Sequence, residues 1–502
     1  MKTFLFYDIE TSGLSSSFDQ ILTFAAIRTD LGFAEISRES VVVKLRCDIV
    51  PSPGAFITHR LTYEELSSGL VEYDAARKIH RIMNTPGTVS IGYNTLGFDD
   101  EFLRFTFYRN LLDPYSHQYA NGCSRMDLLP IATLFRIFKP QIIKWPQVNG
   151  KSSLKLELIS EKNAFVTSGR AHDAMADVES TLALARVLMT EKEMWSYSLG
   201  FFDKRTDRAR MERIEKQIHT KYEDFRLAIM VSLFFGADNM YMAPVLHIGS
   251  SNKYSNQSLW LRLDVEEFLP DGFDPGKGNP FVYKKLRSNA CNDRLSNFAV
   301  ADENDHAPAM PVIRKKSAES QLILPPVERF WNRLSKEQHR LCKKNLESIS
   351  SRPEIFHEIV LYHRSYEYPF VPDLDADASL YQAGFFSKQE KNDITLFCDR
   401  SNKDKIALLK RISSPRIKSL ATRIVFRNYP DMISLLPGDE YEKYMEQVRN
   451  SGAKDRIKGY KNDFKLLPGG AQEEIVKIKK EQDLDPEQVG ILEWLNSYIK
   501  KI

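Results

Sequence analysis

An acidic pair on an apolar, strand-like segment constrains the fold of this chain more than any other feature. In the segment Phe4–Glu10, only Asp8 and Glu10 are charged, and the only other polar group among its side chains is the hydroxyl of Tyr7. Side chains alternate between the two faces of a β-strand, so Asp8 and Glu10 are expected to share one face, with Ile9 on the other. Two close carboxylates repel each other unless a cation lies between them, and oxygen ligands suit Mg²⁺ or Mn²⁺. Taken alone, the pair also fits two solvated acids at a strand edge.

A second acidic segment follows a further strand-like run. The apolar run Val89–Tyr93 predicts a strand, and Asn94 begins a short turn that leads to a predicted helix, Asp99–Tyr108. Asp99 therefore stands where the carboxyl end of a strand meets a helix start. It fits a metal ligand in that position, but it also fits an ordinary helix N-cap.

A third segment combines a histidine with an acid five positions later. His172 precedes a predicted helix, Asp173–Met189, and Asp177 lies in the first turns of that helix. Asp173 fits the N-cap of this helix, so it is left out of the expected metal ligands. A lone histidine and a helix-surface aspartate are unremarkable by themselves, and the segment gains meaning only beside the other two.

The region that carries these segments, residues 1–195, has the pattern of an α/β domain. Besides the strands named above, Ile21–Thr29 and Ser40–Lys44 have extended character, and Thr62–Met83 has helical periodicity. Alternating strands and helices favour a layered α/β fold. A boundary is expected between residues 190 and 204.

The remainder of the chain changes character twice. Residues 205–345 contain short β-prone runs, such as Leu227–Phe235, separated by turns rich in Gly, Pro, Asn and Ser, which predicts a small β-rich domain. Residues 350–502 show helical periodicity, as in Glu354–His363, and predict a helical domain. Other segments with these patterns are Met240–His247 and Ser258–Leu263 for strands, and Lys403–Ile412, Glu473–Gln482 and Trp494–Ile499 for helices.

The three acidic segments, taken in order, resemble the DEDDh family of 3′→5′ exonucleases. The pattern is Asp-x-Glu on a first strand, Asn-x-x-x-Phe-Asp in the middle, and His-x-x-x-x-Asp near the end of an α/β domain. Further segments of the sequence are similar to the bacterial exodeoxyribonuclease I family. The similarity is strong up to about residue 190, faint over 200–320 and present in patches after 330. The matching segments are Phe24–Asp30, Phe98–Glu101, Phe107–Asn110, Ala171–Asp177, Gly384–Ser387 and Arg427–Pro430.

This resemblance implies a fold and an activity. It implies an α/β RNase H-like exonuclease domain (1–195), an SH3-like β-rich domain (205–345) and a helical C-terminal domain (350–502). The expected reaction is hydrolysis of single-stranded DNA from its 3′ end to 5′-mononucleotides, in DNA repair and recombination. Two alternatives stay open: an RNA-trimming relative of the RNase T kind, because no motif reads the 2′-hydroxyl, and a nucleic-acid-binding adaptor without activity.

The resemblance also implies roles for individual residues. The expected cofactor is two Mg²⁺ ions, with Mn²⁺ as the alternative. Two such ions can stabilise both the attacking and the leaving oxygen when a phosphodiester is hydrolysed. His172 has the intrinsic pKa of a general base near neutral pH. The expected metal ligands are Asp8, Glu10, Asp99 and Asp177, and with His172 they form the expected catalytic set.

Substrate and partner contacts are expected at residues suited to phosphates and unstacked bases. Tyrosine at positions 115 and 119 is as compatible with core packing as with base stacking, and an exposed lysine at 155 is often just solvated surface. By resemblance, Lys139 contacts the acidic C-terminal tail of single-stranded DNA-binding protein. The expected substrate contacts are Glu10, Thr11, Arg104, Tyr115, Tyr119 and Lys155.

Composition sets the remaining expectations. Seventy Lys and Arg stand against 67 Asp and Glu, so a net charge of +3 neither favours nor excludes a nucleic-acid partner. Five cysteines without a CxxC pair favour a reducing cytoplasm over a disulfide framework. The N-terminus has no room for a signal peptide, and the apolar run Leu227–Phe235 is too short for a membrane span. A cytoplasmic monomer is expected.

Overall fold

The computed structural model describes residues 2–166, 173–266, 312–436, 439–450, 456–461 and 463–502. The chain divides into two compact units. The first comprises Met1–Arg125, Val166–Leu182 and Phe370–Ile502, and the second comprises Met126–Phe165 and Ala183–Pro369. The three domains expected from the sequence, with two boundaries between them, stay a prediction beside this division.

Strands and helices alternate in the N-terminal third, strands cluster in the middle, and helices dominate the C-terminal third, as the sequence predicts. The strands are β1 (Thr3–Thr11), β2 (Ile21–Thr29), β3 (Glu35–Val42), β4 (Thr88–Gly92), β5 (Ser124–Asp127), β6 (Gln147–Val148), β7 (Lys151–Ser152), β8 (Ile218–His219), β9 (Asp224–Val231), β10 (Met242–Ser250), β11 (Gln257–Arg262), β12 (Val312–Lys316) and β13 (Leu322–Leu324). The α-helices are α1 (Pro53–His59), α2 (Tyr63–Ser67), α3 (Glu72–Met83), α4 (Asp99–Arg109), α5 (Leu128–Phe138), α6 (Leu156–Asn163), α7 (Ala174–Leu188), α8 (Lys192–Leu199), α9 (Lys204–Glu212), α10 (Glu328–Trp331), α11 (Lys336–Ser351), α12 (Pro353–Ser365), α13 (Lys388–Cys398), α14 (Asn402–Leu409), α15 (Pro415–Asn428), α16 (Glu440–Asn450), α17 (Pro468–Glu481) and α18 (Pro486–Ile499).

A mixed five-stranded sheet of order β3-β2-β1-β4-β5 organises the N-terminal part of the first unit. β1 and β2 are antiparallel, β2 and β3 are antiparallel, and β1 and β4 are parallel. Helices α3 and α4 pack on this sheet through buried apolar side chains such as Ile79 and Phe102. The α/β layer fold expected for residues 1–195 is therefore confirmed, with β1 in the centre of the sheet.

The predicted helix Thr62–Met83 is interrupted, and a close backbone approach explains why. The Leu70 N–H donates to the carbonyl of Val42 (2.9 Å), and Lys44 N–H donates to the carbonyl of Leu70 (2.8 Å). A Cβ at Gly69 would lie 2.7 Å from the Val42 carbonyl oxygen, so only glycine fits there. The segment between α2 and α3 thus pairs with the end of β3 instead of continuing the helix.

The C-terminal helices share a hydrophobic core with the N-terminal segment. Phe18 and Phe56 lie in one buried cluster with Phe426, Leu492 and Leu495, which come from α15 and α18. Burial of apolar surface is the main driving force for packing of this kind between segments of a chain. The helical segment of the first unit is therefore built onto the α/β segment.

A buried ionic network accompanies this core. Arg46 donates to Asp48 (Nε to Oδ1, 2.9 Å) and to Glu72 (Nη1 to Oε1, 2.9 Å). Arg427 of α15 donates to Asp48 (Nε to Oδ2, 3.1 Å) and to Asp377 (Nη2 to Oδ2, 2.6 Å). All five side chains are buried. Asp48 therefore bridges an arginine from each end of the chain.

The second unit is built on a β-rich core. Its six-stranded sheet has the order β12-β11-β10-β9-β13, with β8 paired to β9. One face packs against Ile349 of α11 and Phe356 of α12, and the other encloses the fully buried Trp260. The predicted strand Leu227–Phe235 is β9 as far as Val231 and then turns into a short 3-10 helix, Leu233–Phe235. Within the described ranges, every helix is too short or too polar to cross a bilayer.

Candidate active site

Strand β1 brings the acidic pair to one face of the central sheet. Asp8 lies opposite Ala25 of β2, and Glu10 lies opposite Thr23. Both carboxylate side chains are half-buried, whereas Ile9 between them is 5% exposed and belongs to the core under the helices. The alternation predicted from the sequence is confirmed, because the apolar residue enters the core and both acids face away from it.

A tight turn after β4 places Asp99 at the first residue of α4. Asn94 adopts a left-handed conformation (φ 67°), and the Asp100 N–H donates to the carbonyl of Thr95 (2.9 Å), which closes the turn. A Cβ at Gly92 would lie 2.9 Å from the carbonyl oxygen of Tyr7, the residue before Asp8. Glycine at this position therefore allows the end of β4 to approach β1 closely.

Helix α7 supplies the fourth acid. Asp177 lies in its first turn and is half-buried. The exposed Asp173 accepts a hydrogen bond from the Met175 N–H (3.1 Å), and its carbonyl accepts one from the Asp177 N–H (3.0 Å). These contacts match the N-cap role expected for Asp173. His172, the expected general base, lies outside the described residues.

Three of the four expected ligands converge within contact distance of one ion. Carboxylate oxygens of Asp8, Glu10 and Asp177 all lie within 4.8 Å of one another. Asp99 stands outside this group, but its charge acts on both Asp8 and Glu10. The structure therefore brings together acids that are separated by more than 160 positions in the sequence.

The electrostatics of this cluster favour a bound cation. Burial, followed by repulsion from Asp99 and Asp177, raises the pKa of Asp8 well above its ordinary value. Burial and repulsion from Asp177 and Asp99 likewise raise the pKa of Glu10. Close carboxylates without a compensating cation destabilise each other, and a divalent ion removes that repulsion. An all-oxygen ligand set of this kind suits hard divalent ions, so the residues fit a metal site.

Comparison with known proteins agrees with this geometry. A protein-family model described as "Exonuclease" matches residues 5–185, and one described as "Exonuclease I C-terminal domain" matches residues 374–502. The chain is 29% identical to exodeoxyribonuclease I of Escherichia coli over 509 aligned positions, which cover 100% of this chain and 98% of that protein. This chain belongs to the exonuclease I family.

Solved structures of the Escherichia coli family member support the assignment. Its complex with a 5cy-dT13 oligonucleotide has a TM-score of 0.79 and 25% identity, and the match covers 100% of this chain and 99% of that one. A zinc-bound form of its complex with single-stranded DNA has a TM-score of 0.77 and 26% identity, with the same coverage. The exonuclease I fold thus extends over the full chain, and a divalent metal centre accords with the acidic cluster.

The acids that follow Asp99 differ from it in their surroundings. Asp100, wholly buried, accepts a hydrogen bond from Arg104 (Nη2 to Oδ2, 2.9 Å) and pairs with Arg125. Glu101 accepts one from Arg104 (Nη1 to Oε1, 2.7 Å). Asp100 and Glu101 lie in the first helical turn, as predicted, but their ion pairs were not predicted. The spacing of four and three residues to Arg104 on the same helix indicates such pairs.

The substrate contacts expected in this chain have varied environments. The guanidinium of Arg104 is buried and binds the two acids just named. Thr11 is buried, and its hydroxyl donates to the carbonyl of Gly13 (2.8 Å). Tyr115 is half-buried with its ring 5.9 Å from that of Phe385, whereas Tyr119 is 61% exposed. Contact of these side chains with substrate stays a prediction.

Two expected contacts lie in the second unit. Lys155 is exposed and precedes helix α6. Lys139 follows helix α5, and its Nζ lies 2.9 Å from Glu191 Oε2 in an ion pair with both side chains partly exposed. An ion pair at this exposure is weak, so it leaves the ammonium of Lys139 accessible to a competing carboxylate. Both roles stay predictions.

Proposed function

We propose that this chain hydrolyses single-stranded DNA from its 3′ end and releases 5′-mononucleotides in a metal-dependent reaction. The observation that carries the proposal is the convergence of Asp8, Glu10 and Asp177, with the charge of Asp99 acting on the first two, in a member of the exonuclease I family. The oligonucleotide complexes of the Escherichia coli relative support single-stranded DNA as the substrate.

The acidic cluster supplies the binding site for the cofactor, which we propose to be two Mg²⁺ ions, with Mn²⁺ able to replace them. Asp8, Glu10, Asp99 and Asp177 would hold these ions. Bound divalent cations supply positive charge that offsets the negative charge developing on the attacking water and the leaving 3′ oxygen. Because protons compete with metal for Asp8 and Glu10, whose pKa values are raised, metal occupancy falls as the pH is lowered.

His172 is the proposed general base. Its position five residues before Asp177 places it in the same chain segment as a metal-binding acid. A neutral imidazole accepts a proton from the attacking water at neutral pH, which the protonated form does not do. Activity should therefore fall at acidic pH for two reasons, loss of the base and loss of metal.

Substrate grip and cellular partners belong to the same proposal. The phosphates and bases of the strand would contact the six residues expected from the sequence, and Lys139 would bind the acidic tail of single-stranded DNA-binding protein. The proposal also includes a cytoplasmic monomer that acts in DNA repair and recombination. The six substrate residues are Glu10, Thr11, Arg104, Tyr115, Tyr119 and Lys155.

The test is a time course of the digestion of 5′-labelled oligonucleotides of one sequence, either with Mg²⁺ or with EDTA. The substrates are single-stranded DNA, double-stranded DNA and RNA. We expect ladders that shorten from the 3′ end on single-stranded DNA only, and only with metal. Asp8→Asn should lower the rate by about a thousandfold or more, because it removes a ligand charge. His172→Ala should lower it by about a hundredfold or more.

Asp173→Asn is the matched control for Asp8→Asn. It makes the same chemical change beside the cluster, and asparagine retains the N-cap of α7, so its rate should stay within about tenfold of the parent. Equal losses in the Asp8 and Asp173 variants would contradict the assigned ligand set. Faster digestion of RNA than of DNA would contradict the substrate.

A further inference from the structure

The N-terminus of α4, which carries Asp99, lacks a conventional cap. Phe98 occupies the N-cap position with φ −135° and ψ −72° and has no side chain that can accept from the first-turn N–H groups. Three acids in succession, Asp99, Asp100 and Glu101, then begin the helix. The positive end of the helix dipole stabilises their negative charges, but these charges repel one another. The Asp100 N–H bond to the Thr95 carbonyl closes this turn, and side-chain contacts from outside the helix can support it further.

The C-terminal segment provides that support at Glu101. The Tyr381 hydroxyl donates to Glu101 Oε1 (2.7 Å), and the Tyr460 hydroxyl donates to Glu101 Oε2 (3.4 Å). Arg104 Nη1 donates to the same Tyr381 oxygen (3.2 Å). Tyr381 thus contacts both the acid in the first turn of α4 and the arginine one turn later.

Aromatic packing holds the Tyr381 ring in place for this contact. Its centroid lies 5.6 Å from that of Phe105 on α4 and 5.3 Å from that of Tyr460, both edge-to-face. Phe105 and Tyr460 stack at 5.2 Å. A phenol hydroxyl keeps its proton at neutral pH, so the Tyr381 hydroxyl acts as a donor to the Glu101 carboxylate.

We propose that Tyr381 is a positioning residue for the metal site, because its hydroxyl fixes Glu101 and thereby the orientation of Asp99 two residues earlier. The inference depends on the proposed metal-dependent nuclease function. It assigns to the C-terminal segment a part in metal binding through α4, although all four expected ligands lie before residue 180. Groups that hydrogen-bond directly to metal ligands change metal affinity by about 10- to 100-fold, and Tyr381, which acts through Glu101, should have a smaller effect.

Tyr381→Phe removes the hydroxyl and keeps the ring, so aromatic packing and any stacking with a base persist. Tyr108→Phe is the matched control: the Tyr108 hydroxyl joins the same helix to the same C-terminal segment, with its oxygen 2.7 Å from Ser379 Oγ, but lies nine residues after Asp99. Tyr381→Phe loses the hydroxyl's hydrogen bonds with Glu101 and Arg104, and Tyr108→Phe loses the one with Ser379, so both variants weaken the contact between α4 and the C-terminal segment. A purely structural role predicts similar effects from both.

The measurement is Mn²⁺ binding to the full-length protein without substrate, by calorimetry, with thermal melting in EDTA as the reference for folding. We expect Tyr381→Phe to weaken Mn²⁺ binding by about fivefold and Tyr108→Phe to leave it within about twofold, at similar melting temperatures. With Mg²⁺ and single-stranded DNA, Tyr381→Phe should raise the metal concentration for half-maximal activity by the same factor.

Hydrogen exchange supplies a second readout. Amides of residues 98–103 should exchange faster in Tyr381→Phe than in Tyr108→Phe, because the unsupported turn opens more often. Unchanged Mn²⁺ affinity in Tyr381→Phe, or an equal change in both variants, would overturn the positioning role. A parent protein that binds no Mn²⁺ would instead contradict the proposed function.

Discussion

The first compact unit contains two clusters of acidic side chains that have opposite electrostatic surroundings. At the candidate active site, burial and mutual repulsion raise the pKa values of Asp8 and Glu10. In the network shared with the C-terminal helices, burial alone would raise the pKa of Asp48, but Arg427 and Arg46 hold it well below its ordinary value. For Glu72, Arg109 and Arg46 outweigh burial in the same way and lower its pKa to about 2.

The difference lies in the partners, since both clusters are built from Asp and Glu on the same unit. In the network each carboxylate has an arginine within hydrogen-bonding distance, as in the Arg427 pair with Asp377 (2.6 Å). In the active-site cluster, among the residues that the structure describes, the charged groups that act most on Asp8 and Glu10 are other acids. Carboxylates that are paired internally depend on their arginines, and removing one partner is costly, whereas a cluster of acids that repel one another is a candidate for binding an external cation.

The largest expected effect separates the two clusters by stability. Arg427→Met should lower the free energy of unfolding by about 4 kcal/mol, because it leaves Asp48 and Asp377 buried without their shared partner. Asp8→Asn should leave stability unchanged or raise it by about 1 kcal/mol, since it removes a repulsive charge. Urea unfolding at neutral pH in EDTA measures both. A destabilised Asp8→Asn protein would show that the active-site acids are structurally paired after all.

Acid should destabilise the network in a defined range. The folded-state pKa of Glu72, about 2, lies below its ordinary value of 4.5, so its contribution is complete above pH 4.5 and is lost as the pH falls through 2. A difference of this size corresponds to about 3 kcal/mol. Urea unfolding between pH 6 and pH 3 should therefore show falling stability for the parent and a flatter profile for Glu72→Gln. Parallel profiles would mean that Glu72 titrates normally in the folded state.

The two clusters also differ in how far the sequence could reveal them. The active-site acids were predictable because each has a position that the local sequence pattern reveals. The acids of β1 lie on a strand with alternating side chains, Asp99 begins a helix, and Asp177 lies in the first turn of another helix. The network was not, because Asp48 and Arg427 are 379 positions apart and each looks like an ordinary surface charge. Only the position of Arg427 among the buried residues Ile424, Val425 and Phe426 of α15 hinted at burial.

The same reasoning explains what the sequence predicted well and poorly in the fold. Strand β2 and helix α4 were predicted almost to their ends, because periodicity is a local property. The interruption between α2 and α3 was missed, since it depends on the approach of Gly69 to Val42 in another element. The sharing of a core between Phe18 and Leu492 is likewise a tertiary property that no local pattern encodes.

Divalent cations should stabilise the protein through one cluster and leave the other unaffected. Mg²⁺ or Mn²⁺ at about thirty times its Kd should add about 2 kcal/mol to the free energy of unfolding and raise the Tm by roughly 2–4 °C, because the ion binds only the folded state. Thermal melting with metal or EDTA measures the shift. Asp8→Asn should abolish most of it, whereas Glu72→Gln should lower the Tm in EDTA but keep the metal-induced shift in full. The shift belongs to the active-site cluster because its acids, unlike those of the network, gain a counter-charge when the ion binds. A full shift in Asp8→Asn, or a lost one in Glu72→Gln, would remove the distinction between the two clusters.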